Sequence, residues 1–330
     1  MCGMHMQESE REPVVEAEFE EIEMAEMAEV IPESAEILAA PNPADEISIA
    51  RPRPFLELPE PPPTRKGMAR VIVCINQKGG VGKTTTVINV GAHLATMGLK
   101  VLVVDCDSQG NCATGLGIDK SKVANTTRTL MLQPELAAQC RYATPIEGLH
   151  LVVGDRTLVT LEQELVSELG RERRLCEGLA QLMPHYDIIL IDTPPSLGIV
   201  TINALVAADA VMIPVQTEYF SLEGLALLAT TLREVRSRLN PRLGVDAVFL
   251  TMHAPTLLNG QVAGQVRETL GEMVVEPPIR RNIRVAEAPS HGIPIHLHAP
   301  NSHGGEDYRH LAENLALRWG LATRKNGGTD

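Results

Sequence analysis

From residue 70 onward the chain alternates short apolar, β-branched runs with longer stretches in which apolar positions recur every three or four residues. The short runs are RVIVCI (70–75), KVLVVDC (100–106), LHLVV (149–153), DIILID (187–192), AVMIPV (210–215) and DAVFLTM (246–252). Runs apolar at consecutive positions, rather than at every second one, fit strands covered on both faces. Between them, TTTVINVGAHLATMG (84–98), TINALVAADA (201–210), SLEGLALLATTLREVRSRL (221–239) and GQVAGQVRETLGEM (260–273) predict helices. The alternation predicts an α/β fold: a doubly wound, mostly parallel sheet flanked by helices, with its ligand at the carboxyl ends of the strands. The last stretch, EDYRHLAENLALRWGL (306–321), puts Tyr308, Leu311, Leu315 and Trp319 on one face and Glu306, Asp307 and Glu313 on the polar side. That pattern predicts a helix docked on the core, not a basic helix lying on a membrane.

Residues 1–66 follow neither period. They hold ten of the 23 prolines and 16 acidic against 5 basic residues, a net charge of −11. Too little apolar surface is present there to offset chain entropy, so the segment is predicted to be a disordered acidic extension, with 67–330 forming the folded domain. Within it, Val15, Phe19 and Ile22 fall at helical spacing among glutamates, a pattern read as solvated coil. The whole chain carries −13, from 42 acids and 29 bases, which leaves 26 acids and 24 bases, or −2, for residues 67–330. The acidity of the chain therefore belongs to the extension and does not exclude a nucleic-acid surface on the domain. The six cysteines contain no C-x-x-C pair and are read as reduced thiols of an intracellular protein. No apolar run reaches the ~18 residues that a membrane-spanning helix needs.

The chemistry begins at NQKGGVGKTTT (76–86), between the first strand and the first helix. Gly79, Gly80, Val81 and Gly82 form a loop whose backbone N–H groups can turn toward a phosphate, helped by the positive end of the helix dipole. Lys83 would neutralise β- and γ-phosphate charge, Thr84 would offer its hydroxyl to Mg²⁺, and Thr85 would meet the α-phosphate. Gln77 stands where the usual phosphate-loop pattern has its first glycine, and a second lysine, Lys78, follows it. Asp192 ends an apolar strand, where a carboxylate can hold Mg²⁺ through water. Asp105 and Asp107 end another; strand alternation would point both toward the phosphates, and either could position or deprotonate the attacking water.

These motifs occur in a recognisable order. KGGVGKTT (78–85), VDCDSQGNCATGLG (104–117), YDIILIDTPPSLG (186–198), IPVQTEYFSLEG (213–224) and RRNIRVAEAPSHGIPI (280–295) resemble the successive signatures of the ParA (Soj-like) family of partitioning ATPases. Those proteins belong to the deviant Walker A group of P-loop proteins, together with MinD and the nitrogenase iron protein. The resemblance spans roughly residues 69–319. It implies an Mg²⁺-dependent ATPase that forms an ATP-sandwich homodimer, in which Lys78 reaches the phosphates of the partner protomer like an arginine finger. It further implies that Asp107 serves hydrolysis and the metal, that Asp105 supports the metal region, that Asp192 is a second metal-shell carboxylate, and that Asn282 reads the adenine. A ParB-like partner would stimulate hydrolysis, and the ATP dimer would bind double-stranded DNA without sequence preference, on the nucleoid in the cytoplasm.

The chain also departs from the family pattern. Ser108 and Arg280 stand where proline is usual, and the loop TMHAPTLLNGQV (251–262), which often carries a DNA-binding arginine in relatives, has Pro255 and no lysine or arginine. Arg280, Arg281 and Arg284 are the remaining DNA-contact candidates, Arg284 by match to a family position. Arg309, Arg318, Arg324 and Lys325 could extend that patch. The histidines His291, His296, His298 and His303 are read as surface loop residues rather than metal ligands. Two other readings share much of this evidence: positioning of another cargo, such as chemoreceptors or carboxysomes, and a MinD-like membrane-associated regulator. The acidic last helix argues against the second.

Overall fold

One eight-stranded sheet organises the described residues, in the order β3-β4-β2-β5-β1-β6-β7-β8. The computed structural model describes residues 67–218 and 221–321. The predicted extension at 1–66 and the basic residues Arg324 and Lys325 lie outside the described residues. The strands are β1 (Arg70–Cys74), β2 (Val101–Asp105), β3 (Tyr142–Ala143), β4 (Leu149–Val152), β5 (Ile188–Asp192), β6 (Ala210–Gln216), β7 (Gly244–Thr251) and β8 (Val274–Val275). Only the β3–β4 pairing is antiparallel; the others are parallel, as the continuous apolar runs require.

The helices are α1 (Lys83–Thr96), α2 (Asn111–Gly115), α3 (Thr127–Leu132), α4 (Leu158–Leu165), α5 (Arg174–Ala180), α6 (Ile199–Ala207), α7 (Ser221–Arg238), α8 (Leu257–Leu270), α9 (Ile283–Glu287), α10 (Ile295–His298) and α11 (His303–Arg318). Side chains alternate across a strand, and here the alternation feeds two cores. Val71, Val73, Ile189 and Ile191 enter one core, with residues of α3 to α8; Ile72, Cys74, Ile188, Leu190, Val101 and Val103 enter the other, with α1, α2, α10 and α11. By the same parity Asp105 and Asp192 point to the α1 side. β2 and β5 pair Asp105 with Asp192 in register, and β1 pairs Cys74 with Asp192.

The predicted last helix begins three residues early, because Ser302 caps it by accepting from the Gly305 N–H at 3.1 Å. Tyr308, Leu311, Leu315 and Trp319 are buried as expected. Asp307 is not on the polar side: it is buried, and it accepts from Arg280. The strand expected at 100–106 ends at Asp105, so Asp107 lies in the following turn and strand alternation does not govern its direction. No helix of the described residues is long and apolar enough to cross a membrane.

A close backbone approach holds that turn. Gly110 has φ 62°, and a Cβ there would lie 2.3 Å from the Gly154 carbonyl oxygen. A Cβ on Gly154 would lie 2.6 Å from the carbonyl oxygens of both Asp105 and Asp107. Backbone cannot yield as a flexible side chain can, so Gly154→Ala is expected to destabilise the domain by about 1–3 kcal/mol, the usual range for overpacking. Thermal melting should show it as a drop of about 2–4 °C per kcal/mol; an unchanged melting temperature would refute the approach.

Candidate functional site

The loop between β1 and α1 is tied down from several directions. Asn76 donates through its Nδ2 to the Pro214 carbonyl at 2.7 Å and accepts the Lys78 N–H on its Oδ1 at 2.9 Å. The Thr251 hydroxyl donates to the Val81 carbonyl at 2.9 Å. Gly82, the residue before α1, has φ 93°, a conformation that glycine adopts without strain. No side chain caps α1 and its first turn contains no acid, so its first N–H groups remain an open anion-binding end. Lys83 is buried beside them, with its ammonium donating to the carbonyls of Asn76 (3.0 Å) and Lys78 (3.2 Å). Burial is the main cause that lowers its pKa, and the acids Asp192 and Asp107 act against that shift.

A cavity of about 690 Å³ opens at this helix end. Gly79, Gly80, Gly82, Lys83, Thr84, Thr85 and Asp107 line it, and so do residues the sequence reading passed over: Gln109, Asn111, Thr114, Pro194, Ser196 and Pro289. Several of these sit inside motifs already singled out, beside Asp107 and after Asp192. Their place in the lining is set by backbone turns that residue type alone does not announce.

One corner of the site is rich in carboxylates. The Thr84 hydroxyl donates to Asp192 Oδ2 at 2.6 Å, and the other oxygen of the same fully buried carboxyl, Oδ1, has no hydrogen-bond partner. Asp105 is also fully buried; its Oδ1 accepts from the Asp107 N–H and its Oδ2 from the Cys112 N–H, each at 3.0 Å. Burial, and then the charge of Asp105, push the Asp192 carboxyl far above the usual carboxylate range, and burial does the same to Asp105. Asp107, by contrast, is partly exposed and lines the cavity. The structure thus separates the two candidates that strand alternation had placed together. Asp105 braces the turn and Asp107 faces the cavity. Thr84, Asp107 and Asp192 offer hard oxygen donors with one buried oxygen unsatisfied, a set that suits Mg²⁺.

Three expected nucleotide residues lie outside the lining. Val81 buries its side chain in the protein interior. Lys78 projects from the rim, about half exposed, and pairs with Glu218. Asn282 caps α9, its Oδ1 accepting the Arg284 N–H at 2.8 Å.

The basic candidates divide as well. Arg280 is bound by the buried Asp307, with Nη2 to Oδ1 at 2.6 Å and Nε to Oδ2 at 3.0 Å, so its guanidinium fastens α11 to the segment before α9. Arg318 donates to the carbonyls of Asp246 and Glu272, and Arg309 pairs with Glu313 at 2.9 Å. Arg280 and Arg318 are therefore committed to the fold, whereas Arg309 keeps an exposed pair within its own helix. Arg281 is exposed, and Arg284 is exposed with only a 3.0 Å pair to Glu287 on its own helix. His291 and His303 are exposed as expected, whereas His296 and His298 are half-buried: the His296 ring lies tilted 4.9 Å from that of His93, and His298 stacks on His291 at 4.7 Å. None of them belongs to a potential metal cluster among the described residues.

Comparison with known proteins agrees with this geometry. A family model described as an AAA domain matches residues 69–245. The sporulation initiation inhibitor protein Soj of Bacillus subtilis is 46% identical over 250 residues, which cover 76% of this chain and 99% of Soj. The chromosome partitioning protein ParA of Caulobacter vibrioides is 42% identical over 252 residues, covering 76% and 94%. Among solved structures, cobyrinic acid a,c-diamide synthase from Mycobacterium smegmatis with bound ATP analogue and magnesium superposes with a TM-score of 0.66 at 33% identity, over 76% of this chain and 96% of that one. A phosphate loop closed by glycines, the carboxylates aligned beneath it and this extent of identity lead to one conclusion: the chain belongs to the ParA/Soj family of P-loop partitioning ATPases.

Proposed function

We propose that this protein hydrolyses ATP to ADP and phosphate with Mg²⁺, dimerises around the bound ATP, and in that state binds double-stranded DNA without sequence preference while a ParB-like partner triggers hydrolysis. It would act on the nucleoid, in the cytoplasm, to segregate a chromosome or plasmid. The observation that carries this reading is the cavity at the uncapped end of α1, where seven of the expected phosphate and metal residues meet.

The division of labour follows from the donors present. The N–H groups of the loop and of the first turn of α1 bind phosphate oxygens, and Lys83 neutralises charge as it builds on them. Thr84 and Asp192 hold Mg²⁺, which when bound withdraws charge from the β- and γ-phosphates. Asp107, at the cavity wall, orients the attacking water and takes its proton. Lys78 acts in the partner protomer. Its exposed pair with Glu218 is worth no more than roughly 1 kcal/mol, so dimerisation can draw it away at small cost.

Two substitutions test the nucleotide roles. Lys83→Ala should abolish ATP binding in equilibrium titrations. Lys78→Ala should keep it but lose ATP-dependent dimerisation in sedimentation velocity; a Lys78→Ala protein that still dimerises with ATP would falsify the cross-protomer role.

Asp192→Asn should separate stability from function. The carboxyl is pushed from its ordinary 3.8 up to about 8 in the folded state. The unfolded chain therefore ionises it first, and it lowers stability as pH rises through that window. The asparagine variant should melt higher than the parent at neutral pH and yet lose Mg²⁺-dependent nucleotide binding. A lower melting temperature would contradict the assignment.

For DNA, fluorescence anisotropy of a non-specific duplex across a salt series should show ATP-dependent binding that weakens steeply with salt. Arg281→Glu and Arg284→Glu should abolish it. Arg280→Ala should lower the melting temperature instead, by leaving the buried Asp307 with the backbone N–H of residue 280 but without its guanidinium, a loss of about 1–3 kcal/mol. DNA binding indifferent to both glutamate variants would move the contact surface away from α9.

A further inference from the structure

Beneath the phosphate loop the described residues contain one group of side chains able to converge on a metal ion: Asp105, Cys112 and Asp192, all buried, with one ligand atom from each lying within 4.8 Å of the others. Magnesium does not account for the thiol. The Cys112 thiol donates to Asp192 Oδ2 at 3.7 Å, on the same side of the sheet as both carboxyls, so its proton stands where a cation would bind. A hard cation gains little from sulfur, whereas thiolate ligands select softer ions such as zinc or cadmium. The second pointer is the buried Oδ1 of Asp192, which has no partner at all.

We propose that Cys112, Asp105 and Asp192 form a binding site for a thiophilic divalent cation, zinc by its chemistry, beside the Mg²⁺ position on Thr84. The donor arrangement supports it. Each Asp105 oxygen accepts one backbone N–H, at 3.0 Å, and keeps a lone pair for a metal, while those N–H bonds hold the carboxyl in orientation. Tetrahedral zinc, with bonds of about 2.0–2.3 Å, sets its ligands about 3.5 Å apart. The Cys112–Asp192 pair is already near that separation, and the longest pair must close by roughly 1 Å. Cys112 sits in the first turn of the five-residue helix α2, an element short enough to shift by that distance. On binding, the Cys112 thiol proton and the proton shared by the two carboxyls both leave to solvent, and water completes the fourth position.

The site has a regulatory consequence, which rests on the ATPase reading given above. Asp192 belongs to both cation positions. A zinc-loaded protein therefore lacks the Asp192 carboxylate for Mg²⁺ and keeps only Asp107 and the Thr84 hydroxyl, so zinc weakens the binding of Mg²⁺–ATP.

Cadmium titration of the full chain in Mg²⁺-free buffer, followed by the ultraviolet charge-transfer band of cadmium–thiolate bonds, tests the site without any activity assay. One equivalent should saturate the band. Cys112→Ala should remove that band, and Asp192→Asn, which removes a ligand, should weaken cadmium binding by at least the roughly 10–100-fold that loss of a group supporting the ligands costs. Cys106→Ala, which removes a buried thiol on the opposite side of the sheet, should leave it in place. A band that survives Cys112→Ala, or that disappears with Cys106→Ala instead, overturns the proposal, and so does the absence of any band.

A second arm separates the regulation from the nucleotide reading. Cadmium-loaded protein should bind Mg²⁺–ATP at least about tenfold more weakly than metal-free protein, the loss typical for a compromised metal site. Equal affinity of the two forms overturns the shared Asp192. Failure of the metal-free protein itself to bind Mg²⁺–ATP overturns the ATPase reading and leaves the cadmium result standing.

Discussion

The parallel register of β2, β5 and β1 is the constraint on which the rest of the molecule depends. It sets Asp105 opposite Asp192 and Asp192 opposite Cys74, all at the carboxyl ends of their strands. It also fixes the parity that turns both carboxyls toward α1. A slip of one residue would turn them to the other face of the sheet, under α3 to α8, where no phosphate loop waits. Everything chemical in the molecule therefore follows from pairings made by apolar side chains that take no part in the chemistry.

That register has a cost. Two carboxyls buried side by side cannot both ionise without a counter-charge, and their raised pKa values express it. The protein offsets part of the cost with backbone N–H bonds to Asp105 and with the Thr84 hydroxyl on Asp192. The remainder is left to a cation. A site that is unfavourable by itself and relieved by a divalent ion couples metal, nucleotide and local order in one place, a common way for functional strain to be stored.

The far end of the domain follows similar logic with the opposite sign. Arg280 replaces a proline of the family pattern, and Asp307, which the helical pattern of α11 assigns to solvent, is drawn into the interior to meet it. The pair locks α11 against the segment that leads into α9, the short helix bearing Arg284. One cation thus becomes structural, and of the three arginines expected at a DNA surface, Arg281 and Arg284 are left exposed for the proposed contact, where a twofold assembly would matter more than any single contact.

The sequence by itself determined the strand and helix alternation, the parallel sheet and the phosphate loop. Continuous apolar runs, a run of glycines and a lysine before a helix each have a local physical meaning, independent of the rest of the chain. It also placed Thr84, Asp107 and Asp192 near one another, since all stand at the ends of strands or at the start of the helix that follows. Only the tertiary structure decided which aspartate faces the cavity. β2 ends at Asp105, and the Gly110–Gly154 approach turns the chain so that Asp107 reaches the wall. Likewise only packing showed that Arg280 is bound to Asp307, that Asn282 caps a helix, that His296 leans on His93, and that Cys112 joins two acids from strands distant in sequence. Such facts depend on which side chains meet across the fold, and periodicity carries no information about partners far along the chain.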